Sequence, residues 1–262
     1  MLRNDVPNPT TYPAWESDYF HSTYSPRRTT EKRSVEGIQT SNWLLSSLPP
    51  AVAAGLSQHL RRIEVVREQF LFQQDDDLEY VYFPETAVIS EVHLLDDGRM
   101  VEVAICGRNG AVGIASLYEA RHISNCVQAT QAGTLLRIES ALLKRQAAID
   151  PTLPVLLYAS LESYIRQISQ RAVCNMYHSI EERLCTWLLL VRELSGKKTL
   201  QLTHEQISRA LGVYRPSITC IALELRNSGM IDYKRGGISI LNRELLTQAA
   251  CDCYHELRPT ND

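Results

Sequence analysis

The sequence predicts an α+β chain: an N-terminal antiparallel β-roll (jelly roll), one long helix, and a C-terminal pair of helices followed by a β-hairpin. Three observations carry that prediction. Seven short β-type runs between residues 63 and 138 are separated by Asp- and Gly-rich turns. An apolar stripe at coiled-coil-like spacing follows Asp150-Pro151. Between Leu202 and Leu241, two capped helical segments flank one glycine, and a basic-tipped hairpin comes after them.

Residues 1–40 are rich in Pro, Ser, Thr, Tyr and Arg with no sustained period, and are expected to be a disordered or mobile extension. Residues 41–149 are expected to form the β-roll. Asn42 to Leu60 suggests short helices broken at Pro49-Pro50. The strands are expected at Ile63–Val66, Phe70–Phe72, Tyr80–Phe83, Ala87–Leu94, Met100–Cys106, Val127–Ala129 and Thr134–Ile138. Asp96-Asp97-Gly98 and Gly107-Arg108-Asn109-Gly110 supply turns between them. Many short strands with such turns fit an antiparallel sandwich or roll. From Phe70 to Glu102 there are nine Asp/Glu against one Arg, so this face should repel DNA.

Residues 150–178 are expected to be a linker helix. Leu157, Leu161, Tyr164 and Ile168 form its stripe, with Glu162 and Arg166 off it. Such a stripe suits pairing with a second copy of the chain. It would equally suit packing against the β-roll. Ser179 and Glu182 then form a capping box, and the helix they start runs through Leu194 to Gly196.

Residues 179–262 are expected to read DNA. Thr203 and Gln206 make a second capping box, and Ile207, Ala210 and Leu211 share one helical face. Gly212 can end that helix in a left-handed conformation. A second helix starts at Arg215-Pro216, turns Ile218, Ile221, Ala222 and Leu225 inward, and stops at Ser228-Gly229. Ile231–Tyr233, a turn at Lys234-Arg235-Gly236-Gly237, and Ile238–Leu241 complete a winged helix-turn-helix. The second helix of this motif enters the major groove of double-stranded DNA. Arg215 is placed to reach a guanine, and Ser217 and Thr219 a phosphate or base edge. Thr203, His204 and Gln206 are expected near the backbone, Tyr214 among the DNA-binding residues, and Lys234 and Arg235 on flanking phosphates. Ser195 to Arg243 holds eight Lys/Arg against three Asp/Glu, although the whole chain has a formal net charge of −3.

The remaining features exclude more than they propose. No apolar run approaches a membrane span, and the N-terminus lacks the apolar core of a signal peptide. Seven scattered cysteines do not resemble a disulfide framework, so a reducing cytoplasm is expected. Cys106, Cys126, Cys174, Cys185 and Cys220 sit in apolar surroundings and are expected to pack; oxidation of Cys220, on the second helix, would weaken DNA binding. Cys251-Asp252-Cys253-Tyr254-His255 lacks four ligands at sensible spacing, so no metal and no cofactor are expected. Asp75-Asp76-Asp77 reads as a solvated turn. No nucleophile elbow, P-loop or dinucleotide fingerprint is present, so no enzymatic activity is expected.

From about residue 43 onward the order of parts resembles the CRP/FNR superfamily of bacterial transcription regulators. The resemblance rests on Tyr80-Val81-Tyr82-Phe83-Pro84, Asp97-Gly98-Arg99, Gly107-Arg108-Asn109-Gly110, Cys174-Asn175, His178 through Leu184, and the helix-turn-helix. It implies a homodimer whose β-roll binds an effector, with RNA polymerase as a partner. Three departures qualify it. Cyclic-nucleotide binders carry a Gly-Glu pair and an Arg-Ser pair, where this chain has Gly113-Ile114 and Ile123-Ser124. Without that arginine a bound phosphate loses its bidentate partner, so no cyclic AMP response is expected and the effector is unknown. Oxygen-sensing relatives use N-terminal cysteines for an iron–sulfur centre, whereas the first cysteine here is Cys106. The cyclic-AMP-type reading helix begins Arg-Glu-Thr; this one begins Arg215-Pro216-Ser217, so the preferred site should differ. The competing expectation is a ligand- or redox-sensing protein that acts through protein partners and binds DNA only incidentally.

Overall fold

The computed structural model describes residues 39–118, 124–234 and 236–259, so most of the expected N-terminal extension lies outside the described residues. Two short helices, α1 (Trp43–Ser46) and α2 (Pro50–Ser57), come first, divided at Pro49-Pro50 as the prolines demand. Seven strands follow: β1 (Arg61–Val65), β2 (Phe70–Phe72), β3 (Tyr80–Pro84), β4 (Val88–Leu94), β5 (Met100–Cys106), β6 (Cys126–Gln131) and β7 (Gly133–Glu139). A short 3-10 helix at Ile114–Tyr118 lies between β5 and β6. The strands form two antiparallel sheets, ordered β1-β7-β3 and β2-β6-β4-β5. Ile63, Val65, Phe72, Ile89, Val127 and Leu135 fill the space between them. Every expected strand is present, because period-two alternation of apolar side chains is a local signal.

Two helices then cross from the strands to the C-terminal part, α3 (Ser140–Ile149) and α4 (Thr152–Tyr177). The first was not legible in the sequence. Asp150 separates them, its carboxylate accepting from the Thr152 backbone N–H at 2.8 Å. Most of the stripe on α4 faces the β-roll and not solvent, where a dimer seam would lie. Leu157 is fully buried with Val81, Phe83 and Ile138, and Leu161 and Tyr164 line a cavity against the β-roll. Only Ile168 of the four is exposed. A different row, Val155, Tyr158, Ile165, Val173 and Met176, carries the exposed apolar surface of α4. The helix has two apolar faces, and the leucine-rich one went to the β-roll.

Helix α5 (Ile180–Ser195) is buried almost all round, with Leu184, Trp187, Leu188, Val191 and Leu194 in one cluster. The Ser179–Glu182 capping box starts it and Gly196, at φ 67°, ends it. Around it stand β8 (Thr199–Gln201), α6 (His204–Leu211), α7 (Arg215–Asn227), β9 (Ile231–Lys234), β10 (Gly237–Ile240), α8 (Arg243–Gln248) and α9 (Cys253–Leu257). β8 was not anticipated; it pairs with β10 and makes the wing three-stranded. α9 brings Cys251 and Cys253 against Cys174 and His178 at the end of α4. The shortage of metal ligands around Cys251 is therefore a property of the local sequence and not of the fold. Cys220, expected to pack, is exposed on the outer face of α7.

The C-terminal part is docked on the β-roll. Glu102 of β5 is a buried carboxylate that accepts from Trp187 Nε1 at 2.8 Å, from Ser90 Oγ and from the Arg171 guanidinium. Gln131 and Gln201 exchange hydrogen bonds of 3.0 Å across the junction. A Cβ at Gly107 would lie 2.6 Å from that of Leu194, so only glycine lets the β5 loop approach α5 this closely. No described helix is long and apolar enough to cross a membrane.

Candidate nucleic-acid interface

The reading pair is built by its caps. Thr203 Oγ1 accepts from the Gln206 N–H at 3.2 Å, and Gln206 Oε1 accepts from the Thr203 N–H at 2.9 Å. Gly212 closes α6 at φ 64°, a conformation any side chain would strain, and Val213 N–H donates back to Ser208 at 3.0 Å. Tyr214 then caps α7 and projects into solvent, 79% exposed. Pro216 sits in the first turn of α7, where its missing N–H leaves no intrahelical bond unmade. Ile218, Ala222 and Leu225 bury the underside of α7, which turns Arg215, Thr219, Cys220 and Leu223 outward.

Two of the expected contacts are committed elsewhere. Gln206 is used by the cap and lines the crevice beneath α6 with Arg209 and Glu68. His204 Nδ1 lies 3.1 Å from Thr219 Oγ1, and its ring packs edge-on against Tyr233 at 5.1 Å. Burial, and then the Arg215 charge, push the His204 pKa below the ordinary imidazole value, which favours its neutral form. Ser217 is half-buried. Arg215 is exposed and pairs with Glu205 at 3.9 Å, an exposed pair worth roughly 0–1 kcal/mol and easily exchanged for a base.

The wing turn is tighter than the sequence suggested. Lys234 pairs with Gly237, leaving two residues in the turn, and Gly236 at φ 80° makes that possible. Lys234 is at its tip with Nζ 3.5 Å from Asp232, while Arg235 lies outside the described residues. Arg226 is a further cation beside the wing, over the Tyr233 ring at 5.6 Å and 3.4 Å from Asp232. The sequence reading missed Arg226 and Leu223. Leu223 is 47% exposed, eight residues after Arg215, and the helical period alone puts it on the outer face. An apolar side chain there suits a thymine methyl group.

Gly113, Ile114 and Ser124 do border a cavity, of about 290 Å³, between the β-roll and α4. Ile123 lies outside the described residues. Leu161 and Tyr164 close the cavity from the helix, and Ile89, Ala104 and Ile105 from the strands. Glu91 is its one charged side chain among the described lining residues, and it accepts from Asn125 Nδ2 at 2.9 Å. Burial, and then the neighbouring Glu91 carboxylate, hold the Tyr164 phenol above its usual pKa. A carboxylate facing the cavity opposes a phosphate in addition to the missing arginine.

Comparison with known proteins agrees with this geometry. Residues 182–249 match the model of the Crp-like helix-turn-helix domain. The chain is 26% identical over 192 residues to the global nitrogen regulator of Synechocystis sp., covering 70% of this chain and 85% of the relative. Its fold is similar to that of FixK2 from Bradyrhizobium japonicum, with a TM-score of 0.62 at 20% identity over 72% of this chain and 96% of that one. It is also similar to a CRP-family transcriptional regulator from Thermus thermophilus, with a TM-score of 0.61 at 16% identity over 76% and 99% of the two chains.

Proposed function

The chain belongs to the CRP/FNR superfamily of transcriptional regulators, and on that premise we propose that it acts as a homodimer on a near-palindromic DNA site without responding to cyclic AMP. Residues 41–149 are then the sensor, 150–178 the dimerising linker and 179–262 the reader, in a cytoplasmic protein with RNA polymerase as partner. The observation that carries this reading is the outward row Arg215, Thr219 and Leu223, held clear of the core by a fully buried underside. Two copies would place these rows in successive major grooves, about 34 Å apart. The dimer seam is the exposed face around Tyr158 and Ile165. The cavity at Gly113 and Ile114, with Glu91 on its wall, suits a neutral or cationic ligand better than an anion.

Selection of bound fragments from random DNA defines the site, and added cyclic AMP is expected to leave both site and affinity unchanged. Arg215→Ala is then expected to cost about 1–3 kcal/mol per contact and to relax preference at one base pair. Wild-type affinity and preference in that variant would remove Arg215 as the reading residue. Lys234→Ala should weaken binding to every sequence alike and lower the slope of log K against log salt by about 0.9. An unchanged slope takes the wing tip out of the interface.

A further inference from the structure

Four side chains that DNA reading does not use converge where the long helix meets the end of the reading head. Cys174 lies in the last turn of α4 and His178 caps it; Cys251 precedes α9 and Cys253 opens it. Three sulfurs and one imidazole nitrogen, one atom from each residue, all lie within 4.8 Å of one another. Cys174 Sγ is 3.9 Å from Cys251 Sγ, and Cys253 Sγ is 3.3 Å from His178 Nε2. A tetrahedral zinc ion with Zn–S near 2.3 Å and Zn–N near 2.0 Å separates its ligand atoms by about 3.5–3.8 Å. The two separations of 3.9 and 3.3 Å are close to that spacing, and none of the others exceeds 4.8 Å. It is too tight to enclose an iron–sulfur centre, whose several irons hold the thiolates further apart.

The surroundings fit a bound ion. All three cysteines are buried and His178 is half-buried, as in a closed structural site. The Cys251 N–H donates to Thr186 Oγ1 at 3.2 Å, and the same hydroxyl lies 3.1 Å from Cys251 Sγ, where it can donate to a thiolate. Gln170 Nε2 donates to Cys253 Sγ at 2.8 Å. Nδ1 of His178, the nitrogen turned away from the sulfurs, faces a Glu182 carboxylate oxygen at 3.9 Å. Donors on thiolates and a carboxylate behind the imidazole are the usual outer support of a metal ligand set. Arg171 and Arg183 border the cleft beside Cys174 and Cys251, where three thiolates and a divalent ion leave one net negative charge.

We propose that Cys174, His178, Cys251 and Cys253 bind one thiophilic divalent ion of the zinc class. Binding releases three thiol protons to solvent and ties the end of α4 to α9, fixing the reading head on the linker helix. The site is independent of the DNA assignment, and so is its test. The full-length chain, purified under reducing conditions without chelator, is expected to carry one zinc per chain by elemental analysis and no acid-labile sulfide. Exchange with cobalt(II) should give the intense visible bands of a tetrahedral thiolate site. Cys251→Ser and Cys253→Ser should lose the ion, while Cys220→Ser, away from the cluster, keeps it. Since a buried serine can itself unfold the chain, wild-type protein is also treated with a chelator; its melting midpoint should fall and recover on adding zinc. A chain that carries no metal and gives no tetrahedral cobalt spectrum overturns the proposal. So does a full equivalent of zinc in Cys251→Ser, iron with sulfide, or a Cys174–Cys251 disulfide in place of the ion.

Discussion

Ile165→Glu is expected to give a folded monomer whose affinity for the selected DNA site falls by about 10²–10⁴. Ile165 is 57% exposed on α4, seven residues after exposed Tyr158 and eleven before exposed Met176. In a two-fold dimer the same face meets itself, so one substitution puts two carboxylates opposite each other in an apolar seam. Desolvating each without a partner costs on the order of several kcal/mol. The monomer retains one reading helix and loses the gain from tethering a second. Leu157→Glu provides the contrast, because Leu157 is sealed in the chain's own core and its replacement should unfold the β-roll side of α4. Light scattering with size exclusion reads the mass, circular dichroism the fold, and fluorescence anisotropy the affinity. A dimeric Ile165→Glu chain would place the seam elsewhere.

Glu102→Ala is expected to destabilise the protein by about 2–4 kcal/mol, since it takes the carboxylate from the half-buried Arg171 guanidinium and the acceptor from the buried Trp187 N–H. The side chain is 2% exposed and joins β5 to three other elements, through Ser90 of β4, Arg171 of α4 and Trp187 of α5. Its loss therefore loosens the junction between the β-roll and the reader as well as the core. Glu102→Gln keeps an acceptor for the Trp187 N–H and should lose clearly less. Adding Arg171→Met to Glu102→Ala should recover part of the loss, as the stranded charge goes with it. Urea unfolding followed by tryptophan fluorescence measures all three. A loss under about 1 kcal/mol for Glu102→Ala would show the carboxylate to be dispensable.

What the sequence by itself determined is everything governed by neighbours a few residues apart. Thr203 with Gln206, Ser179 with Glu182, and Gly212 and Gly196 define helix ends through bonds within one turn. Alternation in runs such as Met100–Cys106 defines strands, and the Arg215-Pro216 start defines the reading helix. That local grammar was enough to indicate a winged helix-turn-helix and the superfamily.

Only the tertiary structure decided which of two apolar faces of α4 met the β-roll, because a helix shows its period but not its rotation. It decided that Glu102, at an ordinary alternating strand position, is buried beside a guanidinium that follows it by 69 residues. It also brought Cys174 and His178 to Cys251 and Cys253, although Cys174 and Cys251 are 77 positions apart in the chain. Burial, ion pairing and ligand convergence depend on distance in space, and the chain's order carries that information only after the packing of separate elements has chosen one arrangement.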